Sequence, residues 1–277
     1  MIRVRFRKKF GLEGKNVIVT GASGGLGREL TLRLIRKYGC RVLGVARNEQ
    51  KLMSLQSELG ELGGRFAYIL LNVSREESWR QLAGMVRSGE FPADILINNA
   101  GMLPRFARFG LYSHDETERC LSLDLQSVIC ASEEFVALFA GREGASIINI
   151  ASADALCPLA GTSLYSAAKS AVRAFTEALR EEYRGRIYLP AVCPGFIRTD
   201  IMDGQARQVS PLVRFFSMPA DKAARILLRR ANAGRSRIVF GLDAHFMSAS
   251  YRIAPVLSLR FFRFLLRSSG LEMFRDI

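Results

Sequence analysis

Short apolar runs alternate with segments of helical periodicity along most of the chain, and this alternation constrains the fold more than any other feature. The runs are rich in β-branched residues and bounded by turn residues, which is typical of buried strands. Strands are predicted at 15–20, 40–46, 66–71, 93–101, 145–152 and 186–195. Helices are predicted at 26–38, from the second strand to about Leu59, at 74–86 and at 163–183. This order implies parallel βαβ units, so we expect an α/β fold with a doubly wound parallel sheet and helices on both faces.

The third predicted helix carries its own start signal. Ser74 stands three residues before Glu77, which is the spacing of a capping box. We therefore expect the Ser74 side chain to cap the helix at 74–86.

Composition divides the 277 residues into three parts. Apolar residues make up 49% and charged residues 24%, which is ordinary for a folded globular protein and excludes global disorder. No linker, repeat or low-complexity stretch appears before about residue 240. We predict a basic N-terminal arm at 1–13, one domain at 14–241 and a basic, aromatic C-terminal extension at 242–277.

Charge and side-chain chemistry narrow the class of protein. The net charge of +14 indicates nucleic acid, an anionic membrane surface or acidic ligands as partners. No recognised nucleic-acid-binding motif accompanies the charge, so we expect no nucleic acid. The five cysteines form no C-x-x-C pair, which predicts free thiols in a reducing compartment. His114 and His245 are the only histidines and lie far apart, so neither a metal site nor a Ser-His-Asp triad is predicted.

Targeting and membrane-spanning signals do not stand out in the sequence. The first 15 residues are basic but lack the apolar core and cleavage site of a secretory signal. The chain has no run of about 20 apolar residues, so no membrane-spanning helix is predicted. We expect a cytoplasmic protein.

The first predicted strand ends in the turn TGASGGLG, residues 20–27, which opens a helix. Glycines at 21, 25 and 27 permit a tight turn and let the backbone approach a pyrophosphate. The helix N-terminus offers unpaired N–H groups and a positive dipole to that anion. The spacing is G-x-x-x-G-x-G rather than G-x-G-x-x-G, so the strand–turn–helix context carries the prediction of a dinucleotide site. A plain βα turn is the alternative.

The end of the second predicted strand selects between two dinucleotides. An acid at this place hydrogen-bonds the ribose of NAD, whereas an arginine accommodates the 2′-phosphate of NADP. The chain reads GVARNEQKL, with Arg47 and no acid directly after the strand. A guanidinium pairs well with phosphate, so NADP(H) is favoured over NAD. A solvated arginine at a strand end is the alternative.

A tyrosine and a lysine stand four positions apart in YSAAK, residues 165–169. Positions i and i+4 lie on one face of a helix, so the Lys169 charge can favour ionisation of the Tyr165 phenol. Such a phenol is a usable proton donor and acceptor. Taken alone, the pair also fits an exposed helix surface.

Five motifs occur together in order: TGASGGLG, NNAG at 98–101, Ser152, YSAAK at 165–169 and PGFIRT at 194–199. Through these motifs, residues 14–240 resemble the single-domain short-chain dehydrogenase/reductase family. The resemblance implies a Rossmann-type fold, a nicotinamide cofactor and hydride transfer between that cofactor and an alcohol or carbonyl. The domain at 14–241 is then both dinucleotide-binding and catalytic.

The resemblance also assigns roles to individual residues. It makes Tyr165 the general acid and base, Lys169 the group that lowers its pKa and holds the nicotinamide ribose, and Ser152 the partner of the substrate oxygen. Asn98 would shape the end of the fourth strand. The residues implied for the cofactor are Gly21, Ser23, Gly25, Leu26, Gly27, Arg47, Asn72, Val73, Asn99, Ala100, Gly101, Tyr165, Lys169, Pro194, Gly195, Ile197 and Thr199.

Two positions depart from the family pattern. Asp124, in SLDLQSV, stands where the family usually has an asparagine that supports a proton path behind the lysine. An aspartate accepts similar hydrogen bonds, and its charge favours the protonated form of Lys169. The alternative is that the aspartate slows or retunes proton transfer along this path. Asn72, in NVS, stands where the family often has an aspartate facing the adenine, and an amide can still pair with that edge.

The remaining segments bear on substrate and partners. The loop 202–219, MDGQARQVSPLVRFFSMP, predicts a lid whose Leu212, Val213, Phe215 and Phe216 suit a lipophilic alcohol or ketone. A cofactor-binding scaffold or sensor with weak turnover is the alternative function, motivated by Asp124, and a sugar-nucleotide epimerase is less favoured. The family resemblance implies a homo-oligomer.

The C-terminal extension mixes aromatic and basic residues without an acid between Asp243 and Glu272. It is too charged to span a bilayer but suits the interface of an anionic membrane. Packing on a partner subunit or over the substrate pocket is the alternative. Its apolar members are Phe246, Met247, Phe261, Phe262, Phe264, Leu265 and Leu266, and its basic members Arg252, Arg260, Arg263 and Arg267. The N-terminal Arg3, Arg5, Arg7, Lys8 and Lys9 are expected to extend the same surface.

Overall fold

A computed structural model describes residues 10–198, 217–268, 274 and 277. Its centre is a seven-stranded parallel sheet in the order β3-β2-β1-β4-β5-β6-β9. The strands are β1 Asn16–Thr20, β2 Arg41–Ala46, β3 Phe66–Leu70, β4 Ile95–Asn98, β5 Ser146–Ile150, β6 Ala191–Pro194 and β9 Arg237–Phe240. A separate parallel pair joins β7 Ile197–Arg198 to β8 Met218–Pro219. The predicted α/β, doubly wound parallel sheet is confirmed.

Helices connect the strands and follow the sheet at the C-terminal side. They are α1 Gly25–Tyr38, α2 Glu49–Glu58, α3 Glu76–Ser88, α4 His114–Leu121, α5 Ser127–Phe139, α6 Ser163–Glu182, α7 Ala220–Asn232, α8 Leu242–Ile253 and α9 Pro255–Ser268. A π-helical turn, Ser122–Gln126, joins α4 to α5. Short 3-10 turns lie at Gly60–Arg65, Phe109–Leu111 and Ala153–Ala155.

The two faces of the sheet carry separate hydrophobic cores. Val17 and Val19 of β1 belong to the core that contains α1 and α7. Ile18, between them, belongs to the core on the other face, with Trp79 of α3 and Phe135 of α5. This alternation follows from the period of two in a strand, whose successive side chains point to opposite faces. A strand buried on both faces reads as a continuous apolar run, which is how β1 appears in the sequence.

The side of the sheet on which the chain adds new strands changes between β1 and β4. The chain adds β2 and β3 on one side of β1, and β4, β5, β6 and β9 on the other. In open α/β sheets, ligands bind in the crevice at the carboxyl ends of the strands at this switch point. The fold therefore places the functional site at the turns after β1 and β4.

The predicted cap of the third helix is wrong. Helix α3 begins at Glu76, and its N-cap residue, Arg75, makes no side-chain capping hydrogen bond. The Ser74 N–H donates to Asn72 Oδ1 at 3.2 Å, so Ser74 belongs to the turn that precedes the helix.

The sixth predicted strand is shorter than expected, and the seventh was not predicted. Within 186–195 only Ala191–Pro194 forms regular pairing, with an isolated bridge from Tyr188 to Ser146. Pro190 has no N–H to donate to a ladder, which explains the break. Strand β9 contains only four residues and is too short to give a clear periodic signal.

Helices α8 and α9 pack side by side at the end of the described chain. Their inner side chains, including Met247 and Phe262, form a third core cluster with Ala153, Cys157 and Leu159. Of the helices in the described ranges, none has the length and apolar character needed to cross a bilayer. All five cysteines are free and buried, which confirms the predicted free thiols.

Candidate active site

A cleft of about 390 Å³ runs along the carboxyl ends of the central strands. Most of the residues predicted for the site line it. They are Gly21, Ser23, Gly25, Leu26, Arg47, Asn72, Val73, Asn99, Ala100, Gly101, Asp124, Ser152, Tyr165, Lys169, Pro194, Gly195 and Ile197. Gly27 and Asn98 do not line the cleft, and Thr199 lies outside the described residues.

The turn after β1 needs glycine at two places for different reasons. Gly21 has a φ of +67°, in the left-handed region where other residues are strained. Gly27, in the first turn of α1, has ordinary helical geometry, but an added Cβ would lie 2.2 Å from Gly21 O and 2.6 Å from Asn99 Nδ2. Gly27 therefore permits close packing of α1 against the turn, and Gly21 permits the left-handed backbone conformation that the turn requires.

Hydrogen bonds hold the turns after β1 and β4 together. The Thr20 hydroxyl accepts from the backbone N–H of Asn99 at 3.0 Å and of Ala100 at 2.9 Å. The Asn99 side-chain amide donates to Thr20 O at 2.9 Å. Buried polar groups satisfied in this way fix a single backbone arrangement. The glycine-rich wall of the cleft is thus rigidly connected to the NNAG wall.

Two cations lie where the cleft passes the end of β2. Arg47 is exposed directly after β2, and Lys51, in the first turn of α2, lines the same part of the cleft. Asn48 between them caps α2 by accepting from the Lys51 N–H at 2.9 Å. Lys51 was not predicted from the sequence, although its spacing of four from Arg47 is a usable signal.

The end of β3 contributes Asn72 and Val73 to the cleft. Asn72 Oδ1 is occupied by the Ser74 N–H, and Asn72 O accepts from the Ser78 hydroxyl at 2.8 Å. The side-chain amide nitrogen is the part of Asn72 that remains to contact a ligand in the cleft. The third strand therefore ends in a fixed turn.

Tyr165 and Lys169 do share one helix face, as their spacing predicts. Both belong to α6, and Lys169 Nζ lies 5.7 Å from the centroid of the Tyr165 ring. Ser152 follows β5 and caps the short turn Ala153–Ala155, accepting from the Asp154 N–H at 3.2 Å. The fold brings these three side chains, separated by up to 17 positions in sequence, to one end of the cleft.

Asp124 forms a buried ion pair with Lys169. The Lys169 Nζ to Asp124 Oδ1 distance is 2.9 Å, and the Asp124 side chain is 0% exposed. Lys169 Nζ also donates to Ile150 O at 3.3 Å, and the Met102 N–H donates to Asp124 Oδ1 at 3.2 Å. The π-helical turn carries Asp124 inward, and such turns are frequent at functional sites.

Gly101 makes room for this ion pair. A Cβ at this position would lie 2.7 Å from Asp124 Oδ1 and 3.3 Å from Lys169 Nζ. The NNAG loop therefore needs glycine at 101 because the loop closes directly over the two charged groups.

Burial raises the pKa of the Tyr165 phenol above its ordinary value, and the negative charges of Asp124 and Asp154 raise it further. A hydrogen bond from Ser152 acts in the opposite direction. The pKa of Tyr165 is therefore raised rather than lowered, because burial, the largest cause, and the two carboxylates dominate its surroundings. The role of Lys169 beside a bound cofactor stays a prediction.

Asp154 is a second buried carboxylate at the site that the sequence analysis missed. It lines the cleft and accepts from the Thr162 hydroxyl at 2.9 Å and the Ser166 hydroxyl at 3.3 Å. Burial raises its pKa to about 6, against the effect of these hydrogen bonds. An acid in a loop gives no periodic signal, so its burial was not readable from sequence.

Asn98 does not line the cleft and lies at the end of β4, the position that the sequence gives it. Its side-chain amide donates to Asn149 Oδ1 at 2.8 Å, and the Asn149 amide donates to Thr176 Oγ1 at 2.9 Å. This buried chain links β4 to β5 and α6. Asn98 therefore connects elements of the fold, and Asn99 is the asparagine that reaches the cleft.

The last wall of the cleft is the turn after β6, with Pro194, Gly195, Phe196 and Ile197. Asp243, buried at the start of α8, accepts from the Phe196 N–H and holds this turn. A Cβ at Gly195 would lie 2.1 Å from Asp243 Oδ1, so glycine is required at 195. Within the described part of the chain, no group of three or more His, Cys, Asp or Glu residues is arranged to hold a metal ion.

Comparison with known proteins agrees with this geometry. The short chain dehydrogenase family model matches residues 15–210. The chain is 30% identical over 192 residues to 3beta-hydroxysteroid dehydrogenase 2 of Eggerthella lenta, covering 69% of this chain and 74% of that protein. It is 27% identical over 214 residues to an NADPH-dependent pterin aldehyde reductase of Arabidopsis thaliana, covering 77% and 88%.

A solved structure shows the same architecture over nearly the whole chain. A short-chain dehydrogenase from Streptomyces avermitilis is 25% identical and superposes with a TM-score of 0.76, covering 94% of this chain and 98% of that one. The match of the family model over most of the chain, together with a seven-stranded sheet of the expected type, leads to one conclusion. The chain belongs to the short chain dehydrogenase family.

Proposed function

We propose that the protein is an NADP(H)-dependent oxidoreductase that interconverts an alcohol and a carbonyl. The observation that carries this proposal is the meeting of Ser152, Tyr165 and the buried Lys169 in the cleft that the glycine-rich turn opens. A hydroxyl, a phenol and an ammonium in one site can bind an oxygen and exchange a proton with it. This proposal takes 14–241 as the dinucleotide-binding and catalytic domain.

The residues of the cleft fit a nicotinamide dinucleotide. The first turn of α1 contains no acid, so its unpaired N–H groups and dipole are available to a pyrophosphate. Gly21 and Gly25 provide the close backbone approach, and Asn99, Ala100 and Gly101 form the opposite wall. Lys169 and Tyr165 would hold the nicotinamide ribose, with Gly195 and Ile197 beside the ring. The bound cofactor supplies or accepts the hydride.

Arg47 and Lys51 support NADP(H) as the preferred cofactor. Both line the cleft at the end of β2, where the ribose 2′ position of a dinucleotide is recognised in this fold. Two cations complement a 2′-phosphate, and Glu49, between them in sequence, does not line the cleft. The relative from Arabidopsis thaliana is an NADPH-dependent reductase, which supports the same preference.

Tyr165 is proposed as the proton donor to the carbonyl oxygen during reduction. Ser152 donates a hydrogen bond to the same oxygen and orients it. Burial and two carboxylates raise the pKa of Tyr165 above its ordinary value, so the phenol is protonated at neutral pH and has a proton to donate to the carbonyl oxygen.

Asp124 is proposed to act through Lys169. Its carboxylate fixes the ammonium between Ile150 O and the NNAG loop, and so sets where the lysine charge stands relative to the phenol. Asp124 is thus a positioning residue that also contributes charge. Ser152, Tyr165 and Lys169 all line the cleft, and their presence together argues against the scaffold or sensor function that Asp124 suggested.

The substrate is proposed to be lipophilic. Beyond Tyr165 the cleft is lined by Met102, Leu103, Phe106, Leu123 and Phe196, a set that suits an apolar body attached to the reacting oxygen. The name of the steroid dehydrogenase relative supports this class, whereas the pterin aldehyde of the second relative does not. The predicted lid residues Leu212, Val213, Phe215 and Phe216 lie outside the described residues.

The proposal is tested by following NADPH and NADH oxidation with a panel of ketosteroids, retinals, acyl ketones and quinones. We expect turnover with at least one apolar carbonyl and a clear preference for NADPH. Tight NADPH binding without reduction of any member would favour the sensor, and equal use of NADH would remove the role of Arg47. A homo-oligomer stays a prediction of the family resemblance, and light scattering on the purified protein tests it.

A further inference from the structure

The outward surface of α8 and α9, called here the outward face, combines large apolar side chains with arginines. Ile253 of α8 is 84% exposed, and Leu257 and Phe264 of α9 are 67% and 69% exposed. Single exposed apolar residues are normal, but several together mark an interaction surface. The apolar members of the outward face are Phe246, Ile253, Val256, Leu257, Phe261 and Phe264.

These side chains form one continuous strip. Leu257, Phe261 and Phe264 follow the i, i+4, i+7 spacing of a single helix ridge. Phe246 of α8 joins them, because its ring lies 6.1 Å from the Phe261 ring in an edge-to-face arrangement. The strip therefore crosses from one helix to the other without a polar gap at the contact.

A row of arginines runs beside the apolar strip. Arg260, Arg263 and Arg267 are exposed on α9 at i, i+3 and i+7, one ridge away from Leu257, Phe261 and Phe264. Arg263 Nε also donates to Ile277 O at 3.4 Å, so this arginine is partly engaged within the chain. The chain has no acid between Asp243 and Glu272. Asp243 itself is buried with its carboxylate turned to the Phe196 N–H, so it does not neutralise this row.

The outward face is not needed to hold the two helices in the fold. Their inner side chains, Met247 and Phe262 among them, already pack in the third core cluster against Ala153, Cys157 and Leu159. A helix that is apolar on its inner side and again on its outer side has a second partner to meet. The charge of the outward face decides which partner fits.

A second copy of this chain is the less favourable partner. A twofold interface uses the same patch on both subunits, which would bring two rows of arginines towards each other without an acid in the segment. An anionic bilayer surface matches both parts of the face, since apolar side chains insert at the acyl boundary while arginines meet the headgroups.

We propose that the outward face of α8 and α9 docks the protein on an anionic lipid bilayer, with Leu257, Phe261 and Phe264 inserted and Arg260, Arg263 and Arg267 at the headgroups. The inner side of the same helices contacts the segment that follows Ser152, and Phe196 lines the cleft and packs against them. Docking then brings the substrate end of the cleft close to the lipid. That consequence rests on the proposed lipophilic substrate, but the docking itself does not.

The test is co-sedimentation of the full chain with phosphatidylglycerol-containing and pure phosphatidylcholine vesicles at low and high salt. We expect binding to the anionic vesicles only, weakened by salt because charges are screened. Each arginine near an anionic surface contributes about five-fold in affinity. The triple variant R260Q/R263Q/R267Q should therefore bind at least about ten-fold more weakly.

A matched control removes the same charge elsewhere. R80Q/R87Q/R184Q neutralises three exposed arginines outside the two helices and should keep vesicle binding. L257S/F264S, which changes only exposed side chains, should lose binding at all salt concentrations. Thermal unfolding followed by circular dichroism in the absence of vesicles should be unchanged in all three variants. This control shows that they fold and does not depend on the proposed cofactor or activity.

Three results would overturn the proposal. The first is no binding of the unmutated chain to anionic vesicles at low salt. The second is an equal loss of binding in the two triple variants, because the net charge and not the outward face would then be responsible. The third is a change of molar mass in L257S/F264S without vesicle binding by the unmutated chain, which would make the face a contact between copies.

Discussion

The two ends of the cleft are built by different means. The cofactor end consists of turns directly after β1, β2, β3 and β4, whose shape is fixed by glycines and by the hydrogen bonds of Thr20 and Asn99. The substrate end is assembled from distant parts of the chain, including Phe106, Asp154, Phe196 and the helices α8 and α9. Local backbone geometry determines the first end, and tertiary packing determines the second.

The two ends also differ in charge. Arg47 and Lys51 give the cofactor end positive charge at the surface. The catalytic and substrate end contains the buried carboxylates Asp124, Asp154 and Asp243. An anion is therefore attracted to one end, while at the other end a phenol is held in its protonated form. The following variants test this contrast.

The largest effect is expected from Y165F. Removing the phenol hydroxyl should lower kcat for carbonyl reduction by about 10²–10⁴-fold, since a positioned proton donor contributes that much. NADPH affinity should change by no more than a few-fold. The control is Y183F, at the other end of the same helix, which should retain full activity. If Y165F kept more than about a tenth of kcat, Tyr165 would not be the acid.

The next largest effect is expected from R47A. Loss of a charge-assisted contact should weaken NADPH binding by about ten- to a hundred-fold and leave NADH binding unchanged. Arg41 is exposed at the other end of β2. The control variant R41A should change the affinity for neither NADPH nor NADH. Fluorescence titration of both cofactors measures the difference, and an equal loss for NADPH and NADH in R47A would contradict a 2′-phosphate contact.

A pair of glycine variants tests whether backbone packing fixes the cofactor end. Both Gly27 and Gly84 are helical, but a Cβ at 27 would lie 2.2 Å from Gly21 O, whereas nothing lies within 4 Å of one at 84. G27A should lower the free energy of unfolding by about 1–3 kcal/mol. G84A should raise it by about 0.5–1 kcal/mol. Equal effects in denaturant titrations would show that the turn is not tightly packed.

A smaller effect is expected from D124N, which restores the residue that the family usually has. Asp124 raises the pKa of Tyr165 and pairs with Lys169. Its neutralisation removes one negative charge beside the phenol and leaves the lysine charge uncompensated, which lowers the Tyr165 pKa. The alkaline limb of kcat/KM for carbonyl reduction should therefore move to lower pH. D115N, at an exposed acid on α4, is the control, and an unmoved limb in D124N would mean that the pair does not act on the phenol.

The smallest effect is expected from D154N. The pKa of Asp154 is raised to about 6, so the folded protein binds a proton that the unfolded chain releases nearer its ordinary value. This raised pKa costs the unmutated protein stability as pH rises to about 6, and D154N should gain stability relative to it over that range. The activity profile should also lose an inflection near pH 6. Identical thermal stability of both proteins at every pH would contradict the burial of this charge.

Sequence reasoning reached the cofactor end more completely than the substrate end, and the physical reason follows from their construction. TGASGGLG and NNAG encode local turns, so Gly21, Asn99 and their neighbours were placed correctly in the cleft. Asp154 was missed because its burial depends on Thr162 and Ser166 folding over it. The predicted Ser74 cap failed for a related reason, since the hydrogen bond from the Ser74 N–H to Asn72 Oδ1 holds Ser74 in the turn before α3.

The most direct test of the central claim is the transfer of deuterium from NADPH that carries deuterium at both hydrogen positions of the reactive carbon of the nicotinamide. The unmutated chain, supplied with a reducible apolar ketone, should give an alcohol with the label on the carbinol carbon, detected by mass spectrometry. Y165F should give little product under the same conditions while it still binds the cofactor. Oxidation of NADPH without label in the product, or undiminished labelled product from Y165F, would contradict hydride transfer with Tyr165 as proton donor.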